Sequence, residues 1–249
     1  MKKLFLLLVV LFISGCDSEN APECLKTTGE FIEKTIEVPF FETVIIYDRI
    51  NLYIKQGEFQ EVIVKAGENF IDEVNVSVEN NELRISEKTG CNWSRSYGTT
   101  TVYITIPNLK KIQHNSSGTI ESVGILNFQI LDLISLNQER SSNIYTNGIF
   151  DLNLECQNLN ISNDNLTKYF LTGTTTNFYI GFYNGDGRVE AANLTAQNVN
   201  IFHRGSNKII VNPQESIQGQ IRSTGDVISV NIPPIIGVEN FYTGQLIFE

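Results

Sequence analysis

Three arginines recur near the C-terminus at almost equal spacing: Arg188, Arg204 and Arg222 lie 16 and 18 residues apart. Asp186 and Asp226 sit in the neighbouring turn-like segments. If one repeat of the chain takes about that many residues, the three guanidinium groups form a basic stripe able to grip an anionic glycan. The competing reading is a set of solvated turn charges that simply recur with the repeat. Neutral-pH base chemistry would fall to His114 or His203, the two histidines of the chain. Neither accompanies a Ser or Cys in a recognisable nucleophile motif. "HNSSG" (114–118) reads more simply as a small-residue turn, and "NGDGR" (184–188) lacks the spaced carboxylates of a calcium loop. The expectation is therefore no catalytic residue, no metal and no cofactor.

Trp93, the one tryptophan, shares the polar stretch "TGCNWSRSYG" (89–98) with Tyr97. Exposed aromatics of this kind stack on sugar rings or anchor a partner protein. The alternative is that Trp93 covers an end of the fold that would otherwise leave apolar residues wet. Of the four cysteines, Cys24 and Cys91 lie in polar, loop-like sequence and are the candidate disulfide. Cys156 reads as a small packed residue. No Cys-x-x-Cys pair or histidine cluster suggests a metal site.

The elements that must position these groups are strands. The chain has 31 Ile and 27 Asn against 5 Ala, which suits pleated surfaces and turns rather than helices. Alternation is plain at Ile50, Leu52 and Ile54, at Val74, Val76 and Val78, and at Val102, Ile104 and Ile106. Asn80-Asn81 reads as a hairpin turn. After Pro107, small-residue turns end in Ile120, Ile144, Val189, Ile209 and Val227, with a degenerate copy around Phe170. The intervals are then 24, 26, 19, 20 and 18 residues. A period near 20 with short strands is what a parallel β-helix coil needs. "LECQNLNI" (154–161) and "LTAQNVNI" (194–201) repeat one strand 40 residues apart, two coils on the same face. Inward positions are expected at Leu131 and Leu133, Leu159 and Ile161, Phe178 and Ile180, Val199 and Ile201. The expected fold is all-β: a right-handed parallel β-helix or solenoid-like domain with irregular N-terminal strands. A two-sheet sandwich is the rival.

The first residues, "MKKLFLLLVVLFISGC", carry Lys2 and Lys3, an apolar run from Leu4 to Ile13, and small residues before Cys16. This pattern is a secretory signal, too short to span a bilayer as a stable helix. Ile13-Ser14-Gly15-Cys16 resembles the lipobox of bacterial lipoproteins, which implies cleavage before Cys16 and lipidation of that residue. Residues 1–15 are then the signal peptide, 16–30 a polar tether, and 31–249 one domain. Losing Lys2 and Lys3 takes the net charge from −10 to −12. Such an acidic chain without a basic cluster is unsuited to nucleic acid, and membrane attachment falls to the lipid.

"FFETVIIYDRINLYIKQGE", "TVYITIPNLKKIQHNSSGTIES" and "IQGQIRSTGDVISVNIPP" resemble the head GIN domain, a family catalogued as auto-transporter adhesins. The matching features are the Asp-Arg-Ile-x-Leu-x-Ile-x-x-Gly strand, Ile-Pro-x-Leu before the first small turn, and the late Ser-Thr-Gly-Asp-Val turn followed by Pro. "NQERSSNIY" and "NDNLTKYF" depart from it by lacking Gly-rich turns. The resemblance implies a lipoprotein with a β-helical shape. The expected role is a lipid-anchored envelope protein, at the outer membrane, with a non-catalytic binding or adhesion function toward a glycan or protein. The alternatives are a β-helix enzyme acting on acidic polysaccharide and a structural assembly partner of the envelope.

Overall fold

The computed structural model describes residues 26–88, 99–137 and 146–249. Cys16, Cys24, Cys91, Trp93, Tyr97 and Ile144, singled out above, lie outside the described residues.

Seventeen strands and one 3-10 turn (Ile71–Glu73) make up the regular structure of the described residues. The first nine strands are β1 (Phe31–Thr35), β2 (Thr43–Asp48), β3 (Asn51–Gln56), β4 (Glu61–Gly67), β5 (Val74–Glu79), β6 (Glu82–Glu87), β7 (Thr101–Ile106), β8 (Lys111–Ser116) and β9 (Thr119–Ser122). They are followed by β10 (Ile130–Ser135), β11 (Ile149–Asn163), β12 (Lys168–Phe182), β13 (Arg188–His203), β14 (Ile209–Ile221), β15 (Val227–Ser229), β16 (Ile235–Asn240) and β17 (Leu246–Phe248). Together they form one curled, hydrogen-bonded sheet.

Pairing is antiparallel only near the start, where β4 lies against β1 and β7, and β5 against β6. The β5–β6 hairpin turns on Asn80 and Asn81, at φ 52° and 61°, the double left-handed geometry that a two-residue turn requires. Every other pairing is parallel. β2 and β3 join β6 to β9, and β8 and β9 pass the sheet on to β10 and β11. From β10 to β14 the strands then pair in chain order, and β14 goes on to β15 and β16.

The register explains the repeat. Lys168 lies opposite Arg188, Phe178 opposite Val199 and His203 opposite Ile221, so partners are 20, 21 and 18 residues apart. Leu154 faces Gly173, which faces Leu194, and Ile161, Ile180 and Ile201 form the matching column. The two echoed segments therefore sit two layers apart in the same columns, with β12 between them. Ile120, Phe150, Tyr169, Val189, Ile209 and Val227 form the column anticipated from the turns, with two corrections. Phe150, rather than the anticipated Ile144, lies opposite Ile120. Tyr169, fully buried, takes the inward place that the degenerate copy assigned to Phe170, which is exposed. A one-residue shift in a strand moves a side chain to the opposite face, so placing the repeat one position off chose the wrong aromatic.

Within a layer the alternation slips in phase. Along β13 the buried residues are Val189, Ala191, Leu194, Ala196, Val199, Ile201 and His203. Gln197 and Asn198 point outward consecutively, as do Thr176 and Asn177 one layer before. Two successive outward residues require the strand to bend, and the β13–β14 register shifts between Ala196 and Asn198. Gln-Asn is thus repeated because it occupies a corner. On the inner side of the curl lies one contiguous apolar core, into which all four predicted inward pairs are packed. Through it runs a ring column of His114, Phe150, Tyr169, Phe182 and His203, with successive centroids 5.1, 5.0, 6.1 and 5.8 Å apart. Cys156, opposite Thr175 and in the column of Ala196, is a buried free thiol, as its sequence position implied. Burial pushes that thiol up to about 11.

Candidate functional site

Beyond the Gln-Asn corner, the outer face of β10 to β14 carries side chains in stacked rows. Asn177 Nδ2 donates to Asn158 Oδ1 at 2.8 Å, Asn198 Nδ2 to Asn177 Oδ1 at 3.3 Å, and Ser216 Oγ to Asn198 Oδ1 at 2.8 Å. Parallel pairing sets equivalent residues about 4.8 Å apart, the distance at which one amide reaches the next. The neighbouring column runs Asp132, Asn160, Tyr179, Asn200 and Gln218. It begins with a 2.7 Å bond from Asn160 Nδ2 to Asp132 Oδ1. Asn160, Asn177, Tyr179, Asn198, Asn200 and Gln218 line a shallow groove between the two rows. Amides offer both donors and acceptors, which is the pairing that sugar hydroxyls need.

Next to the amides is an aromatic surface. Tyr179 and Tyr183 meet through their hydroxyls at 3.5 Å, and the Tyr183 ring lies 5.7 Å from that of Phe202. Gly181 makes this possible. A Cβ there would come within 2.8 Å of the Tyr183 hydroxyl and 3.0 Å of the Tyr179 ring, so a larger residue would push the two rings from these positions. Burial, and then the hydrogen bond that its hydroxyl shares with Tyr183, push the Tyr179 phenol up to about 12, so it stays neutral.

Arginines border the aromatics. The residues following Phe182, His203, Ile221 and Asn240, which share one column, are Tyr183, Arg204, Arg222 and Phe241. Each donates its backbone N–H to the preceding layer: Arg204 to Phe182 at 2.8 Å, Arg222 to His203 at 2.7 Å and Phe241 to Ile221 at 2.8 Å. The Arg222 guanidinium lies 4.2 Å over the Phe241 ring and 5.9 Å from Phe202, with Nε donating to Gln220 at 2.7 Å. Arg188 does not join them. It lies opposite Lys168, across the turn from that column, and pairs with Glu190. Equal spacing along the chain therefore brings two of the three arginines into one row, because a turn separates the third.

Asp186 and Asp226 are spent on tying turns together. Asp186 accepts from Ser206 Oγ at 2.7 Å and Asn207 Nδ2 at 3.2 Å, while Asp226 accepts from the Gln245 N–H at 2.9 Å. The histidines are also turn elements. In each, Nδ1 accepts an N–H two residues on (Ser116 or Gly205, both 3.3 Å), and Nε2 meets the carbonyl four residues on (Gly118 at 3.1 Å, Asn207 at 2.9 Å). Burial lowers both imidazoles, His114 to about 4. With both nitrogens engaged inside the core, neither histidine is offered to a substrate.

Sequence reasoning missed Tyr179, Tyr183 and Phe202. Their signal was an aromatic at the polar phase of the alternation, visible only once the phase of each strand is known.

Rows of polar side chains on a curled, mainly parallel sheet, bordered by partly exposed rings and by Arg204 and Arg222, define an all-β class of protein. The chain belongs to the family described as "Putative auto-transporter adhesin, head GIN domain", whose model matches residues 40–233. The crystal structure of a "putative adhesin" from Bacteroides fragilis is similar at TM-score 0.76 and 23% identity, covering 88% of this chain and 97% of that one. A "putative adhesin" from Parabacteroides merdae is similar at TM-score 0.61 and 15% identity, with 88% and 97% coverage. A "Putative lipid binding protein" from Parabacteroides distasonis gives 0.60 and 14% with the same coverage. Likeness at these identities speaks for the fold. Among curated proteins, none matches this chain.

Proposed function

We propose that this protein is a lipid-anchored, non-catalytic binder of the bacterial cell envelope that holds a glycan on the outer face of β11 to β14. The observation that carries this reading is the amide groove running beside Tyr179, Tyr183 and Phe202. Hydroxyl-matching amides next to flat apolar rings are the two things a sugar ring asks of a protein surface. The adhesin names of the structural relatives support binding rather than turnover. So does the engagement of both histidines in turns.

Part of the same reading is that the curled sheet winds as a right-handed parallel β-helix. Strands β11 to β14 are joined by 4 or 5 residues (164–167, 183–187, 204–208), yet each pairs in parallel with the next. A flat parallel sheet needs a crossover of about a dozen residues between neighbours. Here the strand itself, bending at its corners, supplies the return path, and the right-handed sense is the one parallel connections prefer.

Two expected results test the proposal. The Tyr179→Ala/Tyr183→Ala variant loses glycan-array signal by about tenfold or more while its circular dichroism and melting temperature stay near wild type, since both rings are partly exposed. Unchanged array binding would remove the face from consideration. Cys16→Ser shifts the protein from the membrane fraction to the soluble one with its fold intact, because the polar residues 17–30 separate anchor from strands. Persistent membrane association would refute the anchor. Protease treatment of whole cells then decides whether the outer membrane presents the face outward.

A further inference from the structure

We propose that the glycan on this face carries carboxylates, and that Arg204 and Arg222 read them while the sugar rings lie on Tyr179, Tyr183 and Phe202. The inference rests on the glycan reading above and adds the charge of the ligand. Arg204 and Arg222 occupy successive positions of one column, so their backbones are about 4.8 Å apart. Among the described residues neither has an ion-pair partner, on a protein whose acidic residues outnumber basic ones 28 to 18. The aspartates of the turns at this end of the strands are committed elsewhere. Asp186 and Asp226 hold neighbouring turns, and Asp164, which begins the column, accepts the Asn137 N–H at 3.0 Å. Glu239, next to Gln220 in the adjoining column, makes no ion pair with Arg222 among the described residues.

Arg222 is pre-organised. The Phe241 ring beneath it and the Gln220 carbonyl on Nε fix the plane of its guanidinium. Its two terminal nitrogens are left for a bidentate carboxylate, the geometry that guanidinium matches best. Holding the side chain in advance reduces the entropy lost when a ligand binds. Two like charges on adjacent strands repel each other, and an anionic ligand relieves that repulsion where no protein carboxylate does. A polymer lying across the strands would then meet amides, rings and cations in turn, one layer at a time.

The test uses matched polymers: polygalacturonate, alginate and hyaluronate, each beside its methyl ester, titrated into the protein purified in detergent. At least one acid should bind about tenfold or more tightly than its ester at low salt, with the gap closing in 0.5 M salt as exposed charges are screened. In the Arg204→Ala/Arg222→Ala variant the gap should vanish while the melting temperature holds. Equal binding of acid and ester by the wild type overturns this inference and leaves the glycan reading standing. No binding to any polymer, together with a blank neutral-glycan array, overturns both. Tight binding of dextran sulfate with no acid-over-ester preference overturns the carboxylate assignment.

Discussion

Ile201→Asp is expected to cost more than about 4 kcal/mol of stability, whereas its neighbour Asn200→Asp should change it by less than about 0.5 kcal/mol. Ile201 is 1% exposed, in a column with Ile161 and Ile180, and an aspartate there puts an unpaired carboxylate among aliphatic side chains. The variant forfeits about 2 kcal/mol of apolar burial and either desolvates a charge or protonates it. Together these exceed about 4 kcal/mol, a large part of the stability of any domain. Asn200 points out of the sheet beside Tyr179 and Gln218, where water solvates either side chain. Urea denaturation followed by circular dichroism gives both values. Comparable losses for the two variants would mean that the faces of β13 are reversed.

Acid should destabilise the protein in a window set by its two histidines. His114 and His203 are fully buried. Desolvation is the dominant cause of their lowered pKa, and it takes His114 from 6.5 to about 4. Protonation of Nδ1 would also set a new N–H against the backbone N–H that it now accepts. An imidazole in the unfolded chain titrates near 6.5. Above that pH both states are neutral and the stability is full. As pH falls from 6.5 toward 4 the unfolded chain takes up protons that the folded one refuses, so stability drops. His114 alone accounts for a loss of about 3 kcal/mol across the window, and His203 adds to it. No other histidine exists in the chain to blur the range from pH 6.5 to 5. Urea midpoints measured from pH 7.5 to 5 should fall steadily in the wild type. They should stay level over that interval in the His114→Phe/His203→Phe variant, whatever its starting stability. A level wild type would place charged histidines in the fold.

How much of this was legible can be judged from particular residues. Val199 and Ile201 could be placed inside from alternation alone, because a strand buries every second residue whatever its partner. The echo of Leu154–Ile161 in Leu194–Ile201 revealed stacking, since a layer that buries its apolar row on neighbours must repeat their pattern. Phe170 was misplaced for a related reason: a chain carries the period but not the phase where a copy is degenerate, and one residue exchanges inside for outside. Arg188, Arg204 and Arg222 looked equivalent because spacing counts residues along the chain. A five-residue turn decides on which side of the curl each one emerges.

By itself the sequence determined the all-β class, a repeat near 20 residues and the inward pairs of the later strands, because these follow from side-chain period and local turn chemistry; the family came from the resemblance of its motifs. Only the tertiary structure decided that Asn158, Asn177 and Asn198 bond in a row, that Gly181 lets Tyr179 and Tyr183 close over it, and that Arg222 rests on Phe241. Each of those contacts joins residues on different strands, or rings whose positions depend on which way a strand faces. Distance along the chain carries no record of either until the layers are stacked in register.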